Sequence, residues 1–308
     1  MNTHVLPPFD IYHGDGEPHG DRAAKLPTEP VLFQEAGRYL ADPELRDAVN
    51  IALATGQPLL LTGEPGCGKT RLAWSVAHEL ALGEPLTFYT RSQSQARDLL
   101  YGYDAVRRFY DIQIQDPRSK DAANYVEYGP LGQAIRSSSR RLVLIDEIDK
   151  APRDFPNDLL NELDRMVFQV PELPEEQRTL RANIRPVVII TSNTERQLPL
   201  PFLRRCVFCH IPFPTREKLT RIIHERLGPM NLDGALVEAA IDRFQQVRRI
   251  DRLTKKPATG ELLAWLVALN IQGMLPATLF DCRMTDLPLL PALLKDRDDF
   301  AYLAEARC

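Results

Sequence analysis

The feature that most constrains this chain is Gly63-Glu64-Pro65-Gly66-Cys67-Gly68-Lys69-Thr70, a complete G-x-x-x-x-G-K-[ST] loop. Glycines at these spacings let backbone N–H groups turn inward around an anion, because they tolerate angles that a Cβ forbids. Lys69 supplies a cation for β- and γ-phosphates, and Thr70 a hydroxyl for Mg²⁺. Such a loop needs a buried strand before it and a helix after it. Residues 58–62 (PLLLT) are a short apolar run. Residues 71–82 have helical spacing, with Leu72, Ala73, Val76, Ala77 and Leu80 on one side. The positive end of that helix then faces the same anion. A glycine turn with a solvated lysine is the plainer reading, and the flanking strand and helix weigh against it. Gly63, Glu64, Pro65, Gly66, Cys67, Gly68, Lys69, Thr70 and Arg71 are therefore the candidate nucleotide contacts. Cys67 is read as the occupant of a variable loop position rather than a reactive thiol.

Leu142-Val143-Leu144-Ile145-Asp146-Glu147 is an apolar strand that ends in two acids. Beside a phosphate loop, Asp146 serves the Mg²⁺ water shell and Glu147 orients and deprotonates the attacking water. Alone, the same pattern is a strand ending in solvent-facing acids. Residues 187–190 (VVII) form another buried strand that runs into Thr191, Ser192 and Asn193. The Asn193 amide suits a γ-phosphate or the attacking water, although an Asn after a strand is ordinarily a turn residue. Leu203-Arg204-Arg205-Cys206 follows; arginines there are either solvated at a helix end or supplied to a neighbour's phosphate. Cys206 and Cys209 lie in a strand-like run, 206–211, and are read as buried structural cysteines rather than a metal or redox pair. With 86–90, these continuous apolar runs predict a parallel sheet covered by helices on both faces.

At 308 residues the chain fits two packed domains, or one large domain with a lid. The net charge of −4 carries no global signal for nucleic acid or an anionic membrane. No apolar run reaches a membrane span, and 1–30 lacks a signal-peptide layout. Five scattered cysteines argue for a reducing cytoplasm. Residues 1–30 are read as a mobile tail in which His4, His13 and His19 hold no metal. Ordered structure is expected from 31, with Asp42 capping a helix that Pro43 opens. Residues 31–211 form the nucleotide-binding domain and 212–308 a helical lid. The lid helices are expected at 215–227, 234–247 and 259–269, with Asp233 and Thr259 as N-caps. Residues 91–141 are long for a connection and are read as a loop that is either disordered or functional.

These pieces, in this order, resemble the AAA+ ATPases and more closely their MoxR-type branch. The closer match is carried by Leu99-Leu100-Tyr101-Gly102-Tyr103-Asp104, by 125–131 (YVEYGPL) and by Val167-Phe168-Gln169-Val170-Pro171-Glu172. Lys255-Lys256-Pro257-Ala258-Thr259-Gly260-Glu261 resembles the start of that branch's lid helix. The resemblance implies an αβα P-loop sandwich with a helical lid, ATP and Mg²⁺ as cofactors, and ATP between the two domains. It makes Lys69 the phosphate lysine, Thr70 and Asp146 the Mg²⁺ contacts, Glu147 the base and Asn193 the sensor. Arg205 becomes the arginine finger, with Arg204 second. Lys256, beside Lys255, stands where relatives place a second-sensor arginine. It further implies a homo-oligomer, a hexameric ring, that remodels a protein client with an adaptor such as a von Willebrand factor A domain protein. Relatives' targets include metalloenzymes, Rubisco and bacterial defence components. Their inserted element, here 101–124, and the hairpin at 168–178 are the expected client contacts. A nucleic-acid motor and a nucleotide-dependent switch are the alternatives; the acidic balance counts against the first and the complete acidic pair against the second.

Overall fold

The computed structural model describes residues 37, 39–193 and 196–305. The expected tail, its three histidines and the expected start of order at 31 lie outside the described residues. The chain divides into two compact units, Tyr39–Phe213 and one whose described part is residue 37 and the residues from Pro214 to Glu305.

Among the described residues of the first unit there are nine strands: β1 (Leu59–Thr62), β2 (Leu86–Tyr89), β3 (Tyr101–Tyr103), β4 (Val126–Tyr128), β5 (Leu142–Asp146), β6 (Val167–Gln169), β7 (Thr179–Arg181), β8 (Val187–Ser192) and β9 (Val207–His210). Five form one parallel sheet in the order β2-β5-β8-β1-β9. The apolar runs are continuous because both faces are covered. Leu60, Val143, Ile145, Val188 and Ile190 enter one core with Leu99, Leu131, Ile135 and Phe155. Their neighbours Leu59, Leu61, Leu142, Leu144 and Ile189 enter the other, against Leu45, Ala48, Leu72, Ala73 and Val76. The helix before β1 spans Pro43–Thr55, with Asp42 at its N-cap.

The stretch at 91–141 is not a loop. It folds as the helix Ala96–Leu100, strand β3, the helix Ala105–Gln113, two 3₁₀ turns, strand β4 and the helix Pro130–Arg136. β3 and β4 pair antiparallel, with Tyr101 opposite Tyr128. Both rings meet Phe168 of β6, at centroid distances of 6.1 and 6.4 Å. Glu172 accepts from Arg97 at 2.8 Å and from Tyr101 at 3.1 Å. The insert and the β6–β7 hairpin, read as separate levers from sequence, therefore pack as one body.

In the second unit, the helices Arg216–Leu227, Gly234–Arg248 and Thr259–Ile271 surround a core of Leu219, Phe244, Leu262, Trp265 and Leu266. Thr215 and Asp233 cap the first two, accepting from the N–H groups of Lys218 and Ala235. Thr259 is not the third cap. Ala258 takes that position, Glu261 accepts its N–H at 3.1 Å, and Thr259 is the first helical residue, buried. The sequence reading stopped short of two further helices, Pro276–Asp281 and Arg297–Glu305.

Candidate functional site

Parallel register puts the functional residues at one edge. Leu61 lies opposite Thr191, Thr62 opposite Ser192, and Ile145 opposite Ile190. The carboxyl ends of β1, β5 and β8 are therefore level, and ligands of open α/β sheets bind at such ends. Side-chain alternation then selects the face. Asp146 follows Leu142 and Leu144, and Thr191 follows Ile189, all on the side packed by the helix Lys69–Glu79. Thr70, on that helix's first turn, donates to Asp146 Oδ1 at 2.9 Å. Thr191 donates to the same oxygen at 2.7 Å.

The helix starts at Lys69, earlier than its apolar spacing shows, because Gly68 at φ 98° turns the chain into it. A Cβ at Gly68 would stand 3.2 Å from the Tyr39 ring, and one at Gly63, where φ is 149°, would stand 2.4 Å from the Ile211 carbonyl oxygen. Only glycine fits either place. Glu64, Pro65 and Gly66 form the exposed tip of the loop; Arg71 is half-buried on the helix's first turn. Lys69 is buried, and its ammonium donates to the carbonyls of Gly63 and Glu64 at 2.8 and 2.9 Å. Burial pushes the Cys67 thiol up, against the pull of the Lys69 charge. That keeps it protonated and fits a packing role.

Glu147 sits in the left-handed region at φ 56°, a strained place for a residue with a Cβ. Its N–H donates to Thr191 Oγ1 at 2.8 Å, which fixes the turn. Its carboxylate takes the Asn193 amide on Oε1 at 2.9 Å and the Lys150 ammonium on Oε2 at 2.5 Å. Asp149, buried, accepts the Asn193 N–H with both oxygens, at 3.2 and 3.1 Å. The structure thus brings Lys69, Thr70, Asp146, Glu147 and Asn193 into one region. It adds Thr191, Asp149 and Lys150 to them. The signal for Thr191 was its place level with Asp146, visible once strand order is known.

Thr191→Val is expected to keep the strand and lose both hydroxyl bonds. The Glu147 N–H then loses its acceptor, at a cost of about 1–3 kcal/mol. A urea midpoint unchanged from wild type would show that Thr191 does not hold the turn.

Arg204 and Arg205 follow the short helix Leu200–Leu203. Arg205 is engaged, donating to Asp164 Oδ2 at 2.5 Å and to the Pro201 carbonyl at 3.1 Å. Arg204 is exposed. Cys206 and Cys209 are half-buried rather than buried, and they pack against opposite cores. Burial raises the Cys206 thiol to about 12, with Asp164 adding to it. Lys256 is exposed in the second unit, ahead of the helix Thr259–Ile271.

A family model described as "AAA domain (dynein-related subfamily)" matches residues 58–206. Those limits run from the residue before β1 to the turn after the helix Leu200–Leu203, where the two arginines lie. Over residues 58–206 the chain is similar to AAA domains. The αβα P-loop fold of that domain is the one expected from sequence, and AAA domains belong to a nucleotide-hydrolysing family. Among curated relatives, YehL of Escherichia coli K12 is 26% identical over 292 residues, covering 85% of this chain and 75% of YehL. The Lon protease of Heliobacterium modesticaldum is 30% identical over 193 residues, 58% of this chain but 20% of that protease. The Lon protease of Leptospira interrogans is 27% identical over 197 residues, 62% of this chain and 19% of its own length. The chain thus spans about a fifth of either Lon protease. No helix among the described residues is long and apolar enough to cross a membrane.

Proposed function

We propose that this chain hydrolyses ATP with Mg²⁺, as a subunit of a MoxR-type ring. The observation that carries the reading is Asp146 Oδ1, which accepts the hydroxyls of Thr70 and Thr191 one residue before Glu147. A hydroxyl and a carboxylate 2.9 Å apart are the hard oxygen donors that Mg²⁺ prefers. Thr70 and Asp146 would hold it, and when bound it offsets charge on the phosphates. Lys69 leaves its loop carbonyls to bind the β- and γ-phosphates. Glu147 takes a proton from water as the water oxygen bonds to the γ-phosphorus. The bond to the β-phosphate oxygen breaks, and ADP and phosphate leave. Asn193, already bound to Glu147, positions that water. Phosphate release with and without chelator tests the reading; duplex DNA is expected to leave the rate unchanged, and a rate that depends on DNA would favour a nucleic-acid motor.

The finger role falls to Arg204 rather than Arg205, whose guanidinium is held by Asp164. Lys256, in the second unit, is the proposed second sensor. The cytoplasm is the compartment.

The insert is the proposed contact for a protein client or adaptor. Its helix Ala105–Gln113 is amphipathic in the reverse sense. Asp111 is buried and accepts from the Tyr125 hydroxyl at 2.7 Å, and Arg108 donates to the Tyr103 hydroxyl at 2.7 Å. Val106, Phe109 and Tyr110 are 80%, 63% and 60% exposed. Apolar patches of this kind mark protein contacts. Replacing the whole segment would remove Asp111 and its support, so the test is Val106→Ser, Phe109→Ser and Tyr110→Ser together. Basal hydrolysis and assembly should survive. Affinity for a purified von Willebrand factor A domain partner should fall at least about tenfold by calorimetry. Unchanged affinity would remove the insert from that interface.

A further inference from the structure

The connection between the helices Gly234–Arg248 and Thr259–Ile271 carries Lys255 and Lys256, both exposed. Irregular connections with exposed charges are ordinarily held loosely. This one is pinned on each side of Lys256. Before it, the Thr254 N–H donates to Asp299 Oδ1 at 2.8 Å and the Lys255 N–H to Asp299 Oδ2 at 3.3 Å. After it, the ring of Pro257 fixes that residue's φ, and the Arg248 guanidinium donates to the Pro257 carbonyl. Asp299 lies in the first turn of the helix Arg297–Glu305 and is 2% exposed. An acid in a first turn ordinarily serves its own helix, through the dipole or a capping bond. The two oxygens of Asp299 reach instead to the connection, 45 and 44 residues earlier in the sequence. Burying a carboxylate is costly unless donors compensate it, and these donors are the two N–H groups just ahead of Lys256. Tyr302 is three residues on from Asp299 and shares its helix face. Its ring centroid lies 5.1 Å from the guanidinium carbon of Arg252, on the same connection.

We propose that Asp299 is a positioning residue for nucleotide binding: its buried carboxylate fixes the backbone from which Lys256 presents its ammonium to the phosphates. The proposal rests on Lys256 being the second sensor. A lysine side chain is long and rich in rotamers, and ordering it for one contact costs entropy. A fixed Cα limits that cost. With the connection released, the same ammonium must be placed from a moving base.

Binding of a fluorescent ATP analogue to the full chain, read below the melting temperature of every variant, tests this. Lys256→Met should raise Kd at least about tenfold, the size expected for one charge-assisted contact. Asp299→Ala should raise it about threefold or more, and Asp299→Asn, which keeps one acceptor oxygen, by less. In the Lys256→Met background the Asp299 substitutions should add nothing, because they act through that lysine. A purely structural Asp299 would lower the melting temperature and leave Kd unchanged, and that result overturns the proposal. So does an Asp299→Ala effect of equal size in both backgrounds. If Asp299→Ala does not fold, Asp299→Asn carries the same comparison. A Lys256→Met protein that binds like wild type overturns the second-sensor reading, and the positioning role with it.

Discussion

Glu147→Gln is expected to bind ATP as the wild type does and to hydrolyse it at least about 100-fold more slowly. The amide keeps the shape of the side chain and can still accept from Asn193 through its oxygen. It cannot take the proton of the attacking water. Lys69, Thr70 and Asp146, which hold the nucleotide and Mg²⁺ in this reading, are untouched, so affinity stays while kcat falls. Lys69→Ala separates the two functions from the other side. Its ammonium is buried and faces the carbonyls of Gly63 and Glu64, so its loss removes the loop's own cation. Binding should then be lost together with turnover. Nucleotide titration by fluorescence and single-turnover phosphate release read the two variants. If Glu147→Gln turns over like wild type, another group takes the proton.

What the sequence could say about this site depended on how local each feature is. The phosphate loop and the acidic strand end are contiguous, and their chemistry is legible residue by residue. The sheet strands were legible because burial on both faces demands unbroken apolar runs. Which side chains share a face was not, since unbroken runs hide the alternation. Thr191 shows the consequence. Its role comes from standing level with Asp146 on a neighbouring strand, and strand order is a long-range property. The same holds for Arg205, whose partner Asp164 is 41 residues away in sequence. The insert is hard to read from sequence for a different reason. Its helix turns Asp111 and Arg108 inward and Val106, Phe109 and Tyr110 outward, which inverts the polarity that normally signals a packed element. Composition alone points to Thr259 as a cap, whereas Glu261 supplies the acceptor and the chain starts its helix one residue earlier than a Thr cap would allow. The helices at 276–281 and 297–305 are short and lie among prolines, where periodicity has little length to act on.

Arg204→Ala should leave ATP binding intact and slow hydrolysis by about 10³-fold, whereas Arg205→Ala should have a small effect on both. The difference follows from what each guanidinium already does. Arg205 is spent on Asp164 and the Pro201 carbonyl, which anchor the turn between the helix Leu200–Leu203 and β9. That pair is about two-fifths exposed on each side, so losing it should lower stability by less than about 1 kcal/mol. Arg204 extends outward from the same turn and is exposed, as a group must be if it is to reach a neighbouring subunit's phosphate. A finger acting in trans makes two further demands. The rate per subunit should rise with protein concentration until assembly is complete. Mixing Arg204→Ala with Lys69→Ala should restore part of the activity, since Lys69→Ala subunits supply the arginine and Arg204→Ala subunits supply an intact phosphate loop. If Arg205→Ala is the slow variant and Arg204→Ala is not, the Asp164 pair must open on assembly and Arg205 is the finger. A wild-type monomer with a rate independent of concentration would rule out a finger in trans altogether.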